Sequence, residues 1–202
     1  MKVFIVVTIV IFGIRDGSSN ILGTGISINE QQSIVDIHNN YRISICNGTL
    51  FGQPQGYNIK KIKYDATLAE KAQEIANSMT FAHVLVKDDR WSVGQNLYIF
   101  KSTAPGAAAS WSSALSAWFV ENSYYKYGTC CGTAGHYTQM IWDSTEYVGC
   151  GFTYFYSDSS KYSYQKLYVC NYGPAGNWVG SHPYQRGHSG CPSFNRKPLK
   201  PQ

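Results

Sequence analysis

GHYTQMIWDSTEYVGCG, at residues 135–151, is the stretch from which the fold can be predicted. Its end opens a run rich in aromatic and β-branched residues at 147–156, and a similar run follows at 166–172, so both are predicted to be strands. The polar residues between these runs indicate the turn of a hairpin. If the two strands pair, Cys150 lies opposite Cys170, and we predict a disulfide between them.

Three amphipathic helices are predicted from apolar residues that recur at intervals of three and four. The first begins at the cap Asn29 and ends by Gly48, the second begins at the cap Asp65, and the third covers residues 107–125. A further strand is predicted at residues 96–100. The residues expected to face the core from the three helices are Ile34, Ile37, Tyr41, Ile45, Leu68, Ala72, Ile75, Ala76, Met79, Trp111, Leu115, Trp118 and Phe119.

The chain starts with an apolar run at residues 3–14, which is followed by small residues. A run of this length is too short to span a bilayer comfortably and is typical of a signal peptide. We therefore predict a signal peptide at residues 1–19, cleavage before Asn20, and a secreted, extracellular protein with no stable membrane insertion. Gly23 and Gly25 leave a later cleavage site open, and an uncleaved anchor is the alternative.

The length of 202 residues and an aromatic content of 15% favour one folded domain, which we place at residues 20–180. Residues 181–202 lack periodicity and are predicted to be a C-terminal extension in loop conformation, held by Cys191. The formal net charge of +5 is mild, and the basic residues are scattered outside this extension. A nucleic-acid partner would need a denser basic patch, so none is expected.

Six cysteines follow the predicted signal peptide, and an even number in a secreted chain indicates three disulfides. Besides the pair in the hairpin, the remaining cysteines are Cys46, Cys130, Cys131 and Cys191. A bond between the adjacent Cys130 and Cys131 would distort ordinary disulfide geometry, so each is expected to bond to Cys46 or Cys191, with the assignment open. The sequence Asn47-Gly48-Thr49 is an acceptor for N-glycosylation at Asn47, which secretion would make usable.

Two long segments resemble the signatures of a known family: the opening stretch at 135–151 and YVCNYGPAGNWVG at 168–180. HNNYR at 38–42, AEKAQEIAN at 69–77 and GQNLY at 94–98 also lie where that family has related sequence. The chain thus resembles the CAP superfamily of cysteine-rich secretory proteins, antigen 5 and pathogenesis-related proteins, also called SCP/TAPS domains, and its venom-allergen-like members. The resemblance implies an α/β fold: a disulfide-stapled three-layer α-β-α sandwich with a central, mainly antiparallel sheet.

The resemblance also implies a cleft with two histidines and two carboxylates. Carried over to this chain, these positions are His83, Glu121, His136 and Gln95, where the family usually has glutamate. Members of the family can hold a divalent cation through the paired histidines, so weak zinc binding by His83 and His136 is expected. The missing negative charge at Gln95 should lower that affinity. The alternative is that the four residues form a polar network that joins a helix to the sheet.

Catalysis is not expected of this chain. A zinc hydrolase needs three protein ligands and a general base, and only Glu121 would remain as the base once both histidines hold the metal. The sequence has no HExxH motif and no G-x-S-x-G motif. A metal-dependent protease is the less favoured reading.

Lipid binding is the function that the resemblance favours. Some relatives place a sterol-binding aromatic pattern between the positions of Glu121 and His136, and Phe119, Tyr124 and Tyr127 reproduce its spacing, with Tyr125 beside them. The alternative is that these aromatic residues cover the core.

Other relatives hold a fatty acid between the first and third helices, where Ala107 to Ala109 and Ala114 would leave room. An extracellular receptor protein is the alternative partner.

Overall fold

The structure is a computed structural model and describes residues 19–107, 110–129 and 131–195. Its strands are β1 (Ser19–Thr24), β2 (Gly56–Tyr57), β3 (Lys63–Tyr64), β4 (Gly94–Ser102), β5 (Tyr147–Ser157), β6 (Tyr164–Gly173) and β7 (Gln185–Arg186). Its α-helices are α1 (Ile28–Cys46), α2 (Ala66–Asn77), α3 (Trp111–Phe119), α4 (Gly135–Met140) and α5 (Pro192–Asn195). Two 3-10 turns, Val120–Ser123 and Gly132–Ala134, lie between α3 and α4.

The central sheet has the strand order β1-β5-β6-β4, with all of these neighbours antiparallel and the short β3 parallel to β5. One face packs against α1, α3 and α4 through a core that includes Tyr168, Cys170 and Tyr172. The other face packs against α2 through Leu167 and Val169. Successive residues of β6 therefore alternate between two cores. The predicted three-layer α-β-α sandwich is confirmed.

The hairpin of β5 and β6 has the predicted pairing. Cys150 lies directly opposite Cys170, their Cα atoms are 4.1 Å apart, and a disulfide joins them. The second bond differs from the sequence expectation: Cys46, at the end of α1, is bonded to Cys191, with Cα atoms 5.8 Å apart. The expectation that each of these two residues bonds to Cys130 or Cys131 is therefore wrong, because the fold brings the end of α1 against the C-terminal segment. Cys130 lies outside the described residues.

Helix starts follow from their capping residues. The first helix begins two residues earlier than predicted, because Ser27 rather than Asn29 is the cap: its backbone N–H donates to Glu30 Oε2 at 2.8 Å, while its hydroxyl accepts from the backbone N–H of Glu30. The predicted cap Asp65 does begin α2. The third helix is shorter than the predicted 107–125, because it begins after the cap Ser110 and changes to a 3-10 turn after Phe119.

The core-facing side of α1 also differs from the prediction. Ile34 and Ile45 are buried, but Ile37 and Tyr41 are only half-buried. Polar residues fill the rest of the buried side, because His38, Asn39 and Arg42 have relative exposures of 0%, 7% and 0%. On the other helices, Met79 and Phe119 are half-buried, and the remaining predicted core residues are buried.

The guanidinium of Arg42 is surrounded by backbone carbonyl groups. It donates hydrogen bonds to the carbonyl oxygens of Lys60, Met140, Trp142, Asp143 and Thr145, at 2.8 to 3.4 Å. Burial lowers the pKa of Arg42 to about 9, so the group is still charged at neutral pH. One side chain of α1 thereby holds the segment that connects α4 to β5.

Residues 181–195, the described part of the C-terminal extension, contain regular elements where a loop was predicted. Strand β7 pairs with β2, Pro192–Asn195 form a short helix, and Tyr184 is fully buried. Within the described part of the chain, none of the helices has the length and apolar character needed to cross a membrane.

Glycines allow α2 to lie close to β5. A Cβ atom at Gly149 would be 2.2 Å from the backbone nitrogen of Ala69, and one at Gly151 would be 2.3 Å from that of Gln73. Backbone atoms of a helix cannot move away as the end of a flexible side chain can. The two glycines of VGCG are therefore needed for the packing of this layer.

We expect Gly151→Ala to lower the free energy of unfolding by about 3 kcal/mol, because α2 must shift away from the sheet. Gly23→Ala is the matched control, since no atom lies within 4 Å of a Cβ at Gly23, which is also in a strand. Denaturant unfolding under non-reducing conditions measures both values. Equal effects of the two substitutions would contradict the close packing of α2.

Candidate functional site

His83 is held by the side chain of Gln95. It lies in the exposed segment between α2 and β4, and its Nδ1 is 3.0 Å from Oε1 of Gln95. The same oxygen accepts the backbone N–H of Val84 at 3.1 Å. An amide oxygen can only accept, so Nδ1 of His83 carries the proton and Nε2 keeps its lone pair.

The amide nitrogen of Gln95 is also bonded. It donates to Oδ1 of Asn171 at 3.0 Å and to the carbonyl of Val84 at 3.4 Å, and Asn171 in turn donates to the carbonyl of Leu68 in α2. A glutamate at this position would place a carboxylate oxygen, which can only accept, against Oδ1 of Asn171 and the carbonyl oxygen of Val84. The departure from the family's glutamate therefore matches its surroundings in this chain.

Glu121 and His136 form the second pair. Glu121 is buried in the 3-10 turn after α3, and its Oε1 is 2.6 Å from Nδ1 of His136. Its other oxygen accepts the backbone N–H groups of His136 and Tyr137 at 3.0 and 3.1 Å. The carboxylate thus caps the first turn of α4 and fixes the proton of His136 on Nδ1, which leaves Nε2 with a lone pair.

Strand β4 links the two pairs. Gln95 and Asn96 are successive residues at its start, so their side chains lie on opposite faces of the sheet. Asn96 donates to the backbone carbonyl of His136 at 3.0 Å and to the hydroxyl of Tyr172 at 3.3 Å. The structure therefore brings the four predicted residues to the start of one edge strand as two separate hydrogen-bonded pairs.

Sequence reasoning missed three members of this network. They are Asn96, Asn171 and Trp118, whose ring stacks on that of His136 with centroids 6.1 Å apart. Asn96 could have been predicted as a member, because it directly follows Gln95 in GQNLY. Asn171 could not, because only the pairing of β4 with β6 places it opposite Gln95.

The next question is which side chains at the histidine cluster could bind a metal ion. Among the residues that the structure describes, no group of three or more His, Cys, Asp and Glu side chains could hold a metal ion. His83 and His136 each offer one imidazole nitrogen, Nε2, that is not used in the hydrogen bonds described above.

Phe119 and Tyr125, two of the four aromatic residues predicted to bind sterol, pack against the core. Phe119 stacks on Tyr41 with ring centroids 3.7 Å apart, and the buried Tyr125 packs against Tyr137.

The other two predicted residues, Tyr124 and Tyr127, differ from each other in exposure. Tyr127 is half-buried and its hydroxyl donates to the carbonyl of Tyr184 at 2.6 Å, whereas Tyr124 is 58% exposed. Tyr127 thus packs against the same core as Phe119 and Tyr125, whereas Tyr124 is mainly exposed.

A groove of about 430 Å³ lies between the starts of α1 and α3. Aromatic rings of Trp111, Phe152 and Tyr168 form its floor, and Phe152 and Trp111 have centroids 4.9 and 5.0 Å from that of Tyr168. Its rim is polar and consists of Glu30, Ser33, Ser110, Ser112 and Lys166. Ala114 is fully buried and is not among the lining residues, and Ala107 accepts a hydrogen bond from the rim residue Lys166 through its carbonyl. Residues 108 and 109 of the predicted row lie outside the described residues.

Comparison with known proteins gives consistent matches. A family model described as the cysteine-rich secretory protein family matches residues 35–172. The chain is 36% identical over 176 residues to a salivary antigen-5 of Dipetalogaster maximus, which covers 82% of this chain and 69% of that protein. It is 37% identical over 173 residues to cysteine-rich secretory protein 2 of Homo sapiens, with 80% and 65% covered.

A crystal structure of NaASP2 with Zn2+ is similar at a TM-score of 0.68 and 27% identity, over 85% of this chain and 91% of that one. The matched part is a smaller share of some relatives: it is 43% of venom allergen 5 of Tityus serrulatus, which is 33% identical over 182 residues and 85% of this chain. The chain thus spans only part of the length of several relatives.

We expect both cleft histidines to be in the Nδ1–H tautomer, and we expect Gln95→Ala to return His83 to the Nε2–H form that free imidazole prefers, because its acceptor is lost. Long-range 15N–1H correlation spectra of the imidazole rings distinguish the two forms. His136 is the internal control, since Glu121 still holds it in the variant. An Nε2–H form of His83 in the unaltered protein would contradict the assigned hydrogen bond.

Proposed function

Because this chain belongs to the cysteine-rich secretory protein family, we propose that it is an extracellular protein that binds small hydrophobic ligands and not an enzyme. The groove between α1 and α3 is the observation that carries this proposal. Its volume of about 430 Å³ lies in the range of small-molecule sites, which are mostly apolar with a few polar groups that fix orientation.

A fatty acid fits the chemistry of the groove. Its alkyl chain would lie over the aromatic floor, where burial of each methylene contributes about 0.8 kcal/mol. Lys166 is the cation on the rim: its ammonium donates to the carbonyl of Ala107 at 2.8 Å and lies 5.4 Å from the ring centre of Tyr154. We place the carboxylate at this ammonium. Glu30 on the opposite side interacts with the cap Ser27, which directs its charge toward the helix start.

The hydrogen bonds of Glu121 support a structural role for this residue rather than a catalytic one. Its carboxylate accepts three hydrogen bonds, from the ring and backbone of His136 and from the backbone of Tyr137. A general base must be within reach of a reacting proton, whereas these bonds engage both oxygens in holding α4. The polar cluster therefore serves the architecture of the cleft.

Weak zinc binding by His83 and His136 is the second candidate function. It is favoured by the two Nε2 lone pairs, each fixed by a hydrogen bond at Nδ1, and by the similarity to NaASP2, which was crystallised with Zn2+. With two protein ligands and no carboxylate at Gln95, water molecules would complete the coordination, so the affinity is low.

Four sequence-based predictions belong to the same proposal. Sterol binding would involve Tyr124 and Tyr127, and Asn47, which is exposed just after α1, would carry the N-linked glycan. The chain would be secreted after loss of residues 1–19, and an extracellular receptor protein stays the alternative partner. Three of the four loop aromatics pack against the core and one is exposed, so the fatty acid is the preferred ligand over a sterol.

We expect Ser112→Phe to lower the affinity for palmitate at least tenfold, because the new ring fills the groove from its rim. Thr67→Phe is the matched control: it adds the same ring at the exposed second residue of α2, which packs against the other face of the sheet, and should leave the affinity within about twofold. Isothermal titration calorimetry measures both.

A companion variant tests the placement of the carboxylate. Lys166→Gln should weaken palmitate binding about tenfold and leave hexadecanol binding nearly unchanged, because charge-assisted hydrogen bonds contribute about 1.5–3 kcal/mol. Cholesterol is titrated in parallel with Tyr124→Ala and Tyr127→Ala. If the unaltered protein bound neither lipid, the proposed function would be wrong.

A further inference from the structure

His38, the first residue of HNNYR, is a histidine without exposed surface in the middle of α1. The structure describes all five histidines of the chain. His83, His182 and His188 are exposed, and the side chain of His136 is 35% exposed. Taking up a proton therefore has a different consequence at His38, because it places a charge where water cannot solvate it.

Both ring nitrogens of His38 have fixed hydrogen-bond roles. Nδ1 is 2.8 Å from the backbone carbonyl oxygen of Ile34, which can only accept, so Nδ1 carries the proton. Nε2 is 3.0 Å from the hydroxyl of Tyr172 and accepts its proton. The same hydroxyl oxygen accepts from the side-chain amide of Asn96 at 3.3 Å. The neutral ring thus joins α1 to strands β6 and β4, with every one of these groups paired.

A protonated ring would not fit these partners. Nε2 would then carry a hydrogen toward the oxygen of Tyr172, and the hydroxyl proton of Tyr172 would lose its acceptor. Burial raises the pKa of Tyr172, so this hydroxyl does not ionise to supply a negative charge.

The charged and titratable groups around His38 offer no compensation either. They are Tyr172 from β6 and Arg42, one turn further along α1, while Asn96 from β4 does not titrate. Within the described residues, none of the salt bridges closer than 4 Å includes His38. Protonation would therefore add a second buried cation beside Arg42.

The free energy of unfolding must then depend on pH in a defined range. Burial lowers the pKa of His38 from its ordinary 6.5 to about 4; the bond to Ile34 acts in the opposite direction, and the charge of Arg42 lowers the pKa further. The unfolded chain thus binds more protons than the folded one between these values, so stability falls as the pH falls from 6.5 toward 4. The carboxylates of Asp65 and Asp88 act below this range, because Arg90 holds the pKa of each below its ordinary 3.8.

We propose that His38 is an acid-sensitive joint between α1 and the central sheet: in an acidic medium its ring takes up a proton from water, its bond with Tyr172 is lost, and α1 comes away from the sheet. The chain would keep its fold in near-neutral media and lose it in acidic ones. This joint does not depend on the fatty-acid function. Release of a ligand at the same transition rests on that function, because α1 is one side of the groove.

The test is denaturant unfolding of the full mature chain at pH 7 and at pH 4, with the variants His38→Gln and His182→Gln. The amide oxygen of glutamine can still accept from Tyr172 but takes up no proton. We expect the folding equilibrium constant to fall about 100-fold more in the unaltered protein than in His38→Gln. His182→Gln removes an exposed histidine and should follow the unaltered protein. Equal falls in the unaltered protein and in His38→Gln would overturn the proposal.

Two further measurements complete the experiment. Titration of the histidine ring signals by nuclear magnetic resonance needs no variant that folds: His38 should stay neutral down to pH 5, and a midpoint at pH 6 or above would overturn the proposal. Hexadecanol, which has no titrating group, should dissociate at a higher pH from the unaltered protein than from His38→Gln. If hexadecanol did not bind at pH 7, the groove function would be wrong, while the unfolding and titration results would still decide on the joint.

Discussion

The guanidinium of Arg42 is a charged group with no exposed surface, and it is held by five backbone carbonyls that belong to two separate parts of the chain. A buried charge without such partners would cost several kcal/mol, so α1 and the segment between α4 and β5 must keep their relative positions. The groove and the histidine cluster both depend on this arrangement, because α1 forms one side of the groove and His136 lies in α4.

Strand β4 of the central sheet connects the His83–Gln95 pair with the Glu121–His136 pair. The alternation of side chains along β4 sends Gln95 to the layer of α2 and Asn96 to the layer of α4, so one strand supports both halves of the histidine cluster. Gly149 and Gly151 bring α2 close enough for its carbonyl at Leu68 to accept from Asn171. The polar groups of the cleft thus bond mainly with one another, while the aromatic floor of the groove offers surface to a ligand.

Features that depend on local sequence could be predicted. The hairpin and its Cys150–Cys170 bond follow from two strand-like runs that are close in the chain, and the start of α2 follows from Asp65. The family's α-β-α sandwich could be predicted from the two long signatures. The bond between Cys46 and Cys191 could not, because 145 residues separate them and only the tertiary fold brings them together.

Other features depend on contacts that a one-dimensional pattern does not contain. His38 and Arg42 are four residues apart on the buried face of α1, but a search for apolar periodicity does not include polar residues in the predicted core. The groove combines residues from α1, α3, β5 and β6, which are far apart in the sequence. The sequence indicated the aromatic residues of the loop, but only the tertiary structure shows that three of them pack against the core while Tyr124 is exposed.

A crystal structure of the protein bound to palmitate tests the central claim, which is that this fold carries a hydrophobic ligand between α1 and α3. The account predicts electron density for an alkyl chain over Trp111, Phe152 and Tyr168, with the carboxylate at the ammonium of Lys166. Density for the lipid at another place, such as the surface around Tyr124, with an empty groove would contradict it.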